Sequence, residues 1–122
     1  MTEWKEVWNK TQEKRLLGRM RWCKSFLCRL RGLTFRRDLG EDEGILLVGS
    51  RENRVDAAIH MFFVFFPIAV IWLTEDHEVV DTCLARPFRP IYVPRGAAKD
   101  ILEGPPHILE HVEIGDKLRF QS

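Results

Sequence analysis

A chain of 122 residues, 45% apolar and 30% charged, is sized for one hydrophobic core and is too apolar to be disordered. The net charge of +1 hides an asymmetry: the first 37 residues hold 11 Lys/Arg against 3 Asp/Glu, and the rest 8 against 15. Such a basic arm either steers an acidic partner, a nucleic acid or an anionic membrane surface, or lies on the acidic remainder of its own fold.

The opening Met1-Thr2-Glu3-Trp4-Lys5-Glu6 has neither the apolar run of a secretory signal nor the acid-poor character of a transit peptide. Cys23, Cys28 and Cys83 are too sparse for a zinc site, so reduced thiols in a cytoplasmic protein are expected. The whole chain reads as a single domain. Residues 1–13 form a polar extension in which Trp4 and Trp8 lie one helical turn apart, and residues 14–122 form the β-rich body.

Residues 14–23 alternate in places and predict a first strand. Ser25 as N-cap, Phe26, Leu27 and Leu30 on one face, and Gly32 as the stop predict a short helix over 25–32, with Arg29 and Arg31 turned outward. The apolar run Ile45-Leu46-Leu47-Val48 between Gly44 and Gly49 predicts a buried strand. Residues 57–73 carry no formal charge, which invites a membrane-span reading. Pro67 and His60 interrupt that run, and its Phe, Val and Ile favour two strands, over 59–65 and 68–73. The polar connection Thr74-Glu75-Asp76-His77 then turns the second of these into a hairpin with 78–84.

The prolines of Arg86-Pro87-Phe88-Arg89-Pro90 exclude regular structure there. A brief strand is expected over 91–93 and a short helix over 107–112, with 97–103 readable as helix or strand. Gly115-Asp116 turns the chain into a last strand over 117–120.

Six blocks in this order carry a resemblance: Phe26-Leu27-Cys28-Arg29-Leu30-Arg31-Gly32-Leu33, Glu43-Gly44-Ile45-Leu46-Leu47-Val48, residues 59–68, Val79-Val80, Arg86-Pro87-Phe88-Arg89, and Glu113-Ile114-Gly115-Asp116-Lys117-Leu118. Over residues 12–120 the chain resembles the uncharacterised ancient conserved region known as domain of unknown function number 192. The resemblance implies a mainly β fold, a compact antiparallel β-sandwich of jelly-roll type with one to three short helices, and implies no established activity. The chain departs from many relatives in having Ala69 where they carry an acid, and Phe62 and Phe63 where some carry Lys-Asn.

His60 stands alone in the apolar stretch, as a pH-responsive binding group, a general base, or a buried imidazole bonded to backbone. His107-Ile108-Leu109-Glu110-His111 has the H-x-x-E-H spacing of a zinc peptidase, but the helix is short and no third ligand is evident. Arg29, Arg31, Arg36, Arg37, Arg86 and Arg89 lack the glycine-rich loop or interleaved aromatics of a nucleic-acid site. No catalytic set, metal site or cofactor motif is assigned. The reading is a non-enzymatic binding or accessory domain with a cleft near His60, drawing on Arg31, Arg86, Phe88 and Arg89. The alternatives are a small metal-assisted hydrolase using His60 or His107 and His111, and a basic-arm adaptor for acidic partners or an anionic membrane surface.

Overall fold

Ile68-Ala69-Val70-Ile71-Trp72-Leu73 is apolar at every position, and a strand of that kind is stable only when both of its faces are covered. In the computed structural model it forms a central strand with all six residues buried. The structure describes every residue except 1, 2, 26, 27, 29–31, 34, 35, 37, 54–58, 60, 62, 63 and 90. The strands are β1 (Trp4–Asn9), β2 (Lys14–Cys23), β3 (Glu43–Asn53), β4 (Ile68–Leu73), β5 (Val79–Ala85), β6 (Ala98–Gly104) and β7 (Leu118–Gln121). A 3-10 helix, Pro106–His111, precedes β7.

The strands form one sheet in the order β5-β4-β6-β3-β2-β1-β7. All pairs are antiparallel except β2 with β3, whose parallel pairing requires the long connection between them. The sheet curls until its outer strands meet. The Val79 N–H donates to the Asp116 carbonyl at 2.8 Å, the Gly115 N–H to the Val79 carbonyl at 2.8 Å and the Leu118 N–H to the His77 carbonyl at 3.0 Å.

Curling gives the sheet an inner face, filled by Val7, Leu17, Leu46, Ile71 and Leu102, with Ile108 of the 3-10 helix packed among them. The opposite face carries Ile45, Val70, Trp72 and Ile101. It is covered by Leu33, Ile59, Met61 and Val64 from the long connections. The mainly β expectation holds, with the two layers supplied by the two sides of a single curled sheet.

The β4–β5 hairpin forms as expected. The Thr74 hydroxyl accepts the Asp76 and Glu78 amides, and His77 takes a left-handed φ of 65°. Residues 97–103 resolve as a strand, and the last strand lies one residue later than expected. The 1–13 segment is corrected: Trp4 and Trp8 lie on β1, between β2 and β7, and not on a helical turn. Ile59 makes a single bridge to Tyr92, and residues 61, 64, 65, 91 and 93 are not strand, so among the described residues the strands expected over 59–65 and 91–93 are represented by that bridge. Of the helix over 25–32, Arg29 and Arg31 lie outside the described residues. The Cys28 N–H donates to the Ser25 hydroxyl, and the Gly32 N–H to the Cys28 carbonyl, as a capped turn requires.

The expectation of three reduced thiols is also corrected. Cys23 and Cys28 form a disulfide, which leaves Cys83 as the free thiol. Five residues of separation close a small loop, for which loss of unfolded-state entropy is worth about 2 kcal/mol. Chemical denaturation of the wild type with reductant should therefore show stability lower by about 2 kcal/mol, and Cys28→Ser should match it with or without reductant. A wild type indifferent to reductant would show that the bond is absent in solution.

Candidate functional site

Pro87 keeps this segment, Arg86-Pro87-Phe88-Arg89, out of the sheet, and backbone bonds to Ile59 and Met61 fix its shape instead. The Ile59 N–H donates to the Tyr92 carbonyl (2.9 Å) and the Tyr92 N–H to the Ile59 carbonyl (2.8 Å). The Phe88 N–H donates to the Met61 carbonyl (2.9 Å) and the Met61 N–H to the Arg89 carbonyl (3.2 Å). The Arg86 N–H reaches the Tyr92 hydroxyl at 2.8 Å. The far end is tied down by Arg95, which donates to the buried Asp81 carboxylate from its amide, Nε and Nη2 at 2.9, 3.2 and 2.9 Å. Burial alone would raise the Asp81 pKa, but these Arg95 bonds and the Thr82 amide outweigh it and hold it below the usual value.

Within this frame Phe88 adopts a φ of +63°, a region that a bulky side chain enters only at a cost of about 1–3 kcal/mol. The strained residue is not repaid by burial, since Phe88 is 52% exposed. Its ring lies 5.5 Å from that of Phe65, itself 47% exposed. Leu84, Ile91 and Val93 are exposed on the same stretch of chain. The Arg89 guanidinium sits 5.1 Å from the Tyr92 ring centroid. Neither Arg86 nor Arg89 forms an ion pair among the described residues.

Arg86, Phe88 and Arg89 are thus all exposed on this one loop. His60 and Arg31, with Phe62 and Phe63, lie outside the described residues, so the cleft expected at His60 is represented only by its neighbours Ile59 and Met61. Ala69, one of the departures from the family pattern, is buried in the inner core.

The His107/His111 pair is not brought together as a metal site. A 3-10 turn holds three residues, so positions four apart point roughly a third of a turn away from each other. The His107 Nε2 bonds the Glu41 carbonyl, and no metal-binding cluster occurs among the described residues. Nor does the basic arm stand free. Much of it is β1 and β2, and Arg15 and Arg36 pair with Asp42 and Glu43 of the acidic remainder.

The family model of DUF192, described as an uncharacterized ACR, matches residues 7–120. The chain belongs to the DUF192 family. It is 38% identical over 115 residues to a UPF0127 protein of Thermococcus sibiricus, covering 93% of this chain and 73% of the relative. It is 37% identical over 114 residues to a UPF0127 protein of Pyrococcus furiosus, covering 92% and 95%. Among solved structures it is similar to a protein of unknown function from Novosphingobium aromaticivorans, with a TM-score of 0.81, 20% identity, and 97% and 84% coverage. It is also similar to a protein of Sinorhizobium meliloti named as a candidate transcription regulator, with a TM-score of 0.83, 18% identity, and 98% and 94% coverage. These two likenesses establish the fold. No helix among the described residues is long and apolar enough to cross a membrane.

Two features of this DUF192 domain escape sequence reasoning. The first explains the Gly115-Asp116 turn. The buried Asp116 Oδ2 accepts from Asn9 Nδ2 at 2.8 Å, Gln12 Nε2 at 2.7 Å and the Glu113 amide at 2.9 Å. Burial opposes its charge, but the three donors prevail and its pKa falls below the usual value. This cluster stitches β1 to the segment before β7 and is structural.

The second is Glu103, near the end of β6. It is only 6% exposed, and its carboxyl has no partner among the described residues. Burial pushes its pKa up to about 7. The half-buried Cys83 thiol is pushed up to about 11, by burial first and then by Asp81 and Glu103, against the opposing pull of Arg89. A thiol so raised is protonated at neutral pH and is a poor nucleophile.

Proposed function

We propose that this chain is a non-enzymatic binding module, and that the face formed by Phe65, Arg86, Phe88 and Arg89 engages an acidic, apolar segment of a protein partner. The observation that carries the reading is Phe88, a half-exposed aromatic in a left-handed conformation held by the backbone bonds to Met61. Strain of this kind persists where a frame over-determines it, and it gathers at binding sites. An apolar patch rimmed by cations is suited to a partner that offers aliphatic or aromatic anchors among carboxylates. Arg86 and Arg89 form no ion pair among the described residues and can meet those carboxylates, whereas Arg95 is committed to Asp81. The cell compartment in which this occurs follows the Cys23–Cys28 bond, which persists in an oxidising compartment or in cells whose interior tolerates disulfides.

The test is selection from a displayed random-peptide library against wild type, Phe88→Gly and Arg86→Glu/Arg89→Glu. Glycine adopts a φ of +63° without strain, so Phe88→Gly should fold with stability within about 1 kcal/mol of wild type. The wild type should enrich peptides that set Asp or Glu beside large apolar residues, and both variants should lose that enrichment. Equal enrichment by wild type and variants, or self-association of the wild type through this face in place of peptide binding, would overturn the reading.

A further inference from the structure

Val7, Leu17, Met20 and Phe120 turn one side of β1, β2 and β7 toward the inner core, and the alternation of strand side chains sends Trp4, Trp8 and their partners to the other side. There Trp4 pairs with Arg21 and Trp8 with Arg15 across β1 and β2, and Trp8 pairs on its other side with Arg119 of β7. The Arg19 guanidinium lies 4.3 Å from the Trp4 ring centroid, and the Arg119 guanidinium 5.9 Å from that of Trp8. Each indole of β1 is thus set beside two arginines, Arg19 and Arg21 for Trp4, Arg15 and Arg119 for Trp8. Four strand positions put the indoles about 13 Å apart.

The row is open to solvent. Trp4 is 38% exposed, Arg15, Arg19 and Arg119 are exposed, and Trp8 and Arg21 are half-buried. Glu6 accepts from Trp8 Nε1 at 3.0 Å and Gln121 Nε2 at 3.2 Å, Asp42 lies 3.6 Å from Arg15, and Glu43 is matched by Arg36. Against the four arginines stand the Glu6 and Asp42 carboxylates, so the row keeps a positive balance. The interleaving of aromatics with cations that the arginines of residues 29–37 lack in sequence is made here across strands. Flat groups strung on a chain of negative charge suit such a row, because a base stacks on an indole or a guanidinium plane while phosphates meet the arginines. A duplex hides its bases from a surface of this kind. A lipid interface calls for indoles that stand clear of charge, whereas Trp8 is tied to Glu6 and both rings lie against guanidiniums.

We propose that the outer face of β1, β2 and β7 binds single-stranded nucleic acid without sequence preference. Bases stack at Trp4 and Trp8, in place of the Arg19 and Arg119 guanidiniums or on their outer planes. Arg15, Arg19, Arg21 and Arg119 neutralise the phosphates between them. This site uses none of the residues of the Arg86–Phe88–Arg89 loop and stands whether or not that loop binds an acidic segment.

The measurement is fluorescence anisotropy of labelled oligothymidylate and oligouridylate, each of about ten nucleotides, titrated with the full chain. Neutralising three to four phosphates should make affinity fall about 20- to 50-fold between about 50 and 200 mM salt. Trp4→Ala, at an exposed position, should weaken binding about fivefold or more, whereas Trp8→Phe keeps a stacking ring and should bind within about twofold of wild type. Arg19→Gln/Arg119→Gln should weaken binding and flatten the salt dependence. Tighter binding of the uridylate assigns the site to RNA and of the thymidylate to DNA, and both outcomes support the proposal. An abasic oligomer or polyglutamate that binds as well as the oligothymidylate would overturn it, since neither offers a base to stack. Tighter binding of duplex DNA or of phosphatidylglycerol vesicles would overturn it too, as would a Trp4→Ala variant that binds as the wild type does.

Discussion

Glu103→Gln should stabilise the protein above pH 7 by about 3 kcal/mol and leave it nearly unchanged near pH 4. The native carboxyl titrates at about 7 against an ordinary 4.5, and each unit is worth about 1.4 kcal/mol. In the unfolded chain the proton leaves near the ordinary value, while the native protein still holds it. Between pH 4.5 and 7 the native state therefore binds more protons than the unfolded state, and wild-type stability falls as pH rises through that window. Glutamine cannot ionise, so the fall is absent in the variant. The His77 pKa is lowered, first by burial and against the pull of Asp100, which makes stability rise with pH over part of the same range. That contribution is common to both proteins and cancels in their difference. Denaturation midpoints of the two proteins from pH 4 to 8 decide the matter. Parallel curves would mean that Glu103 is solvated or paired in solution.

Asp116→Ala should have an effect of opposite sign and at least equal size, a loss of about 3–5 kcal/mol at neutral pH. Three donors converge on one oxygen, and truncation leaves the Gln12 and Glu113 donors without their acceptor. Asn9 retains the His111 carbonyl at 2.9 Å but loses its carboxylate. Asp116→Asn should fall between wild type and alanine, because an amide keeps an acceptor but offers donors to groups that are themselves donors. The wild-type contribution is present above the ordinary carboxylate pKa of 3.8 and is lost as pH falls through the lower native value. Thermal melts of the three proteins at pH 7 and pH 3 measure it. An alanine variant as stable as wild type would remove Asp116 from the account of how the sheet closes.

The elements that the sequence announced are those whose causes are local. β4 is six apolar residues in a row, and the hairpin after it follows from a polar connection whose Thr74 bonds its own turn. The Arg-Pro-Phe-Arg loop was legible because proline removes donors wherever it stands. β1 was not, since its inward positions include Asn9, buried for the sake of a partner 107 residues away. Asp116 looked like a turn residue for the same reason. Glu103 stood at the end of a segment readable as helix or strand. Only the strand assignment, with its period of two, sets it beside Ile101 on an apolar face. The disulfide escaped because two cysteines five residues apart are close in any fold, and their pairing depends on how the chain leaves β2. Phe88 was named as a candidate on residue type alone, while its left-handed backbone is set by hydrogen bonds to residues more than twenty positions earlier.

The most direct test of the binding reading is amide chemical-shift mapping of isotope-labelled protein with one of the acidic, apolar peptides from the library. The account predicts perturbations centred on Phe65, Arg86, Phe88 and Arg89, absent in Phe88→Gly. Perturbations centred elsewhere, for example on the shallow cavity of about 520 Å³ between Lys10, Thr11, Asp76 and Lys117, would contradict it.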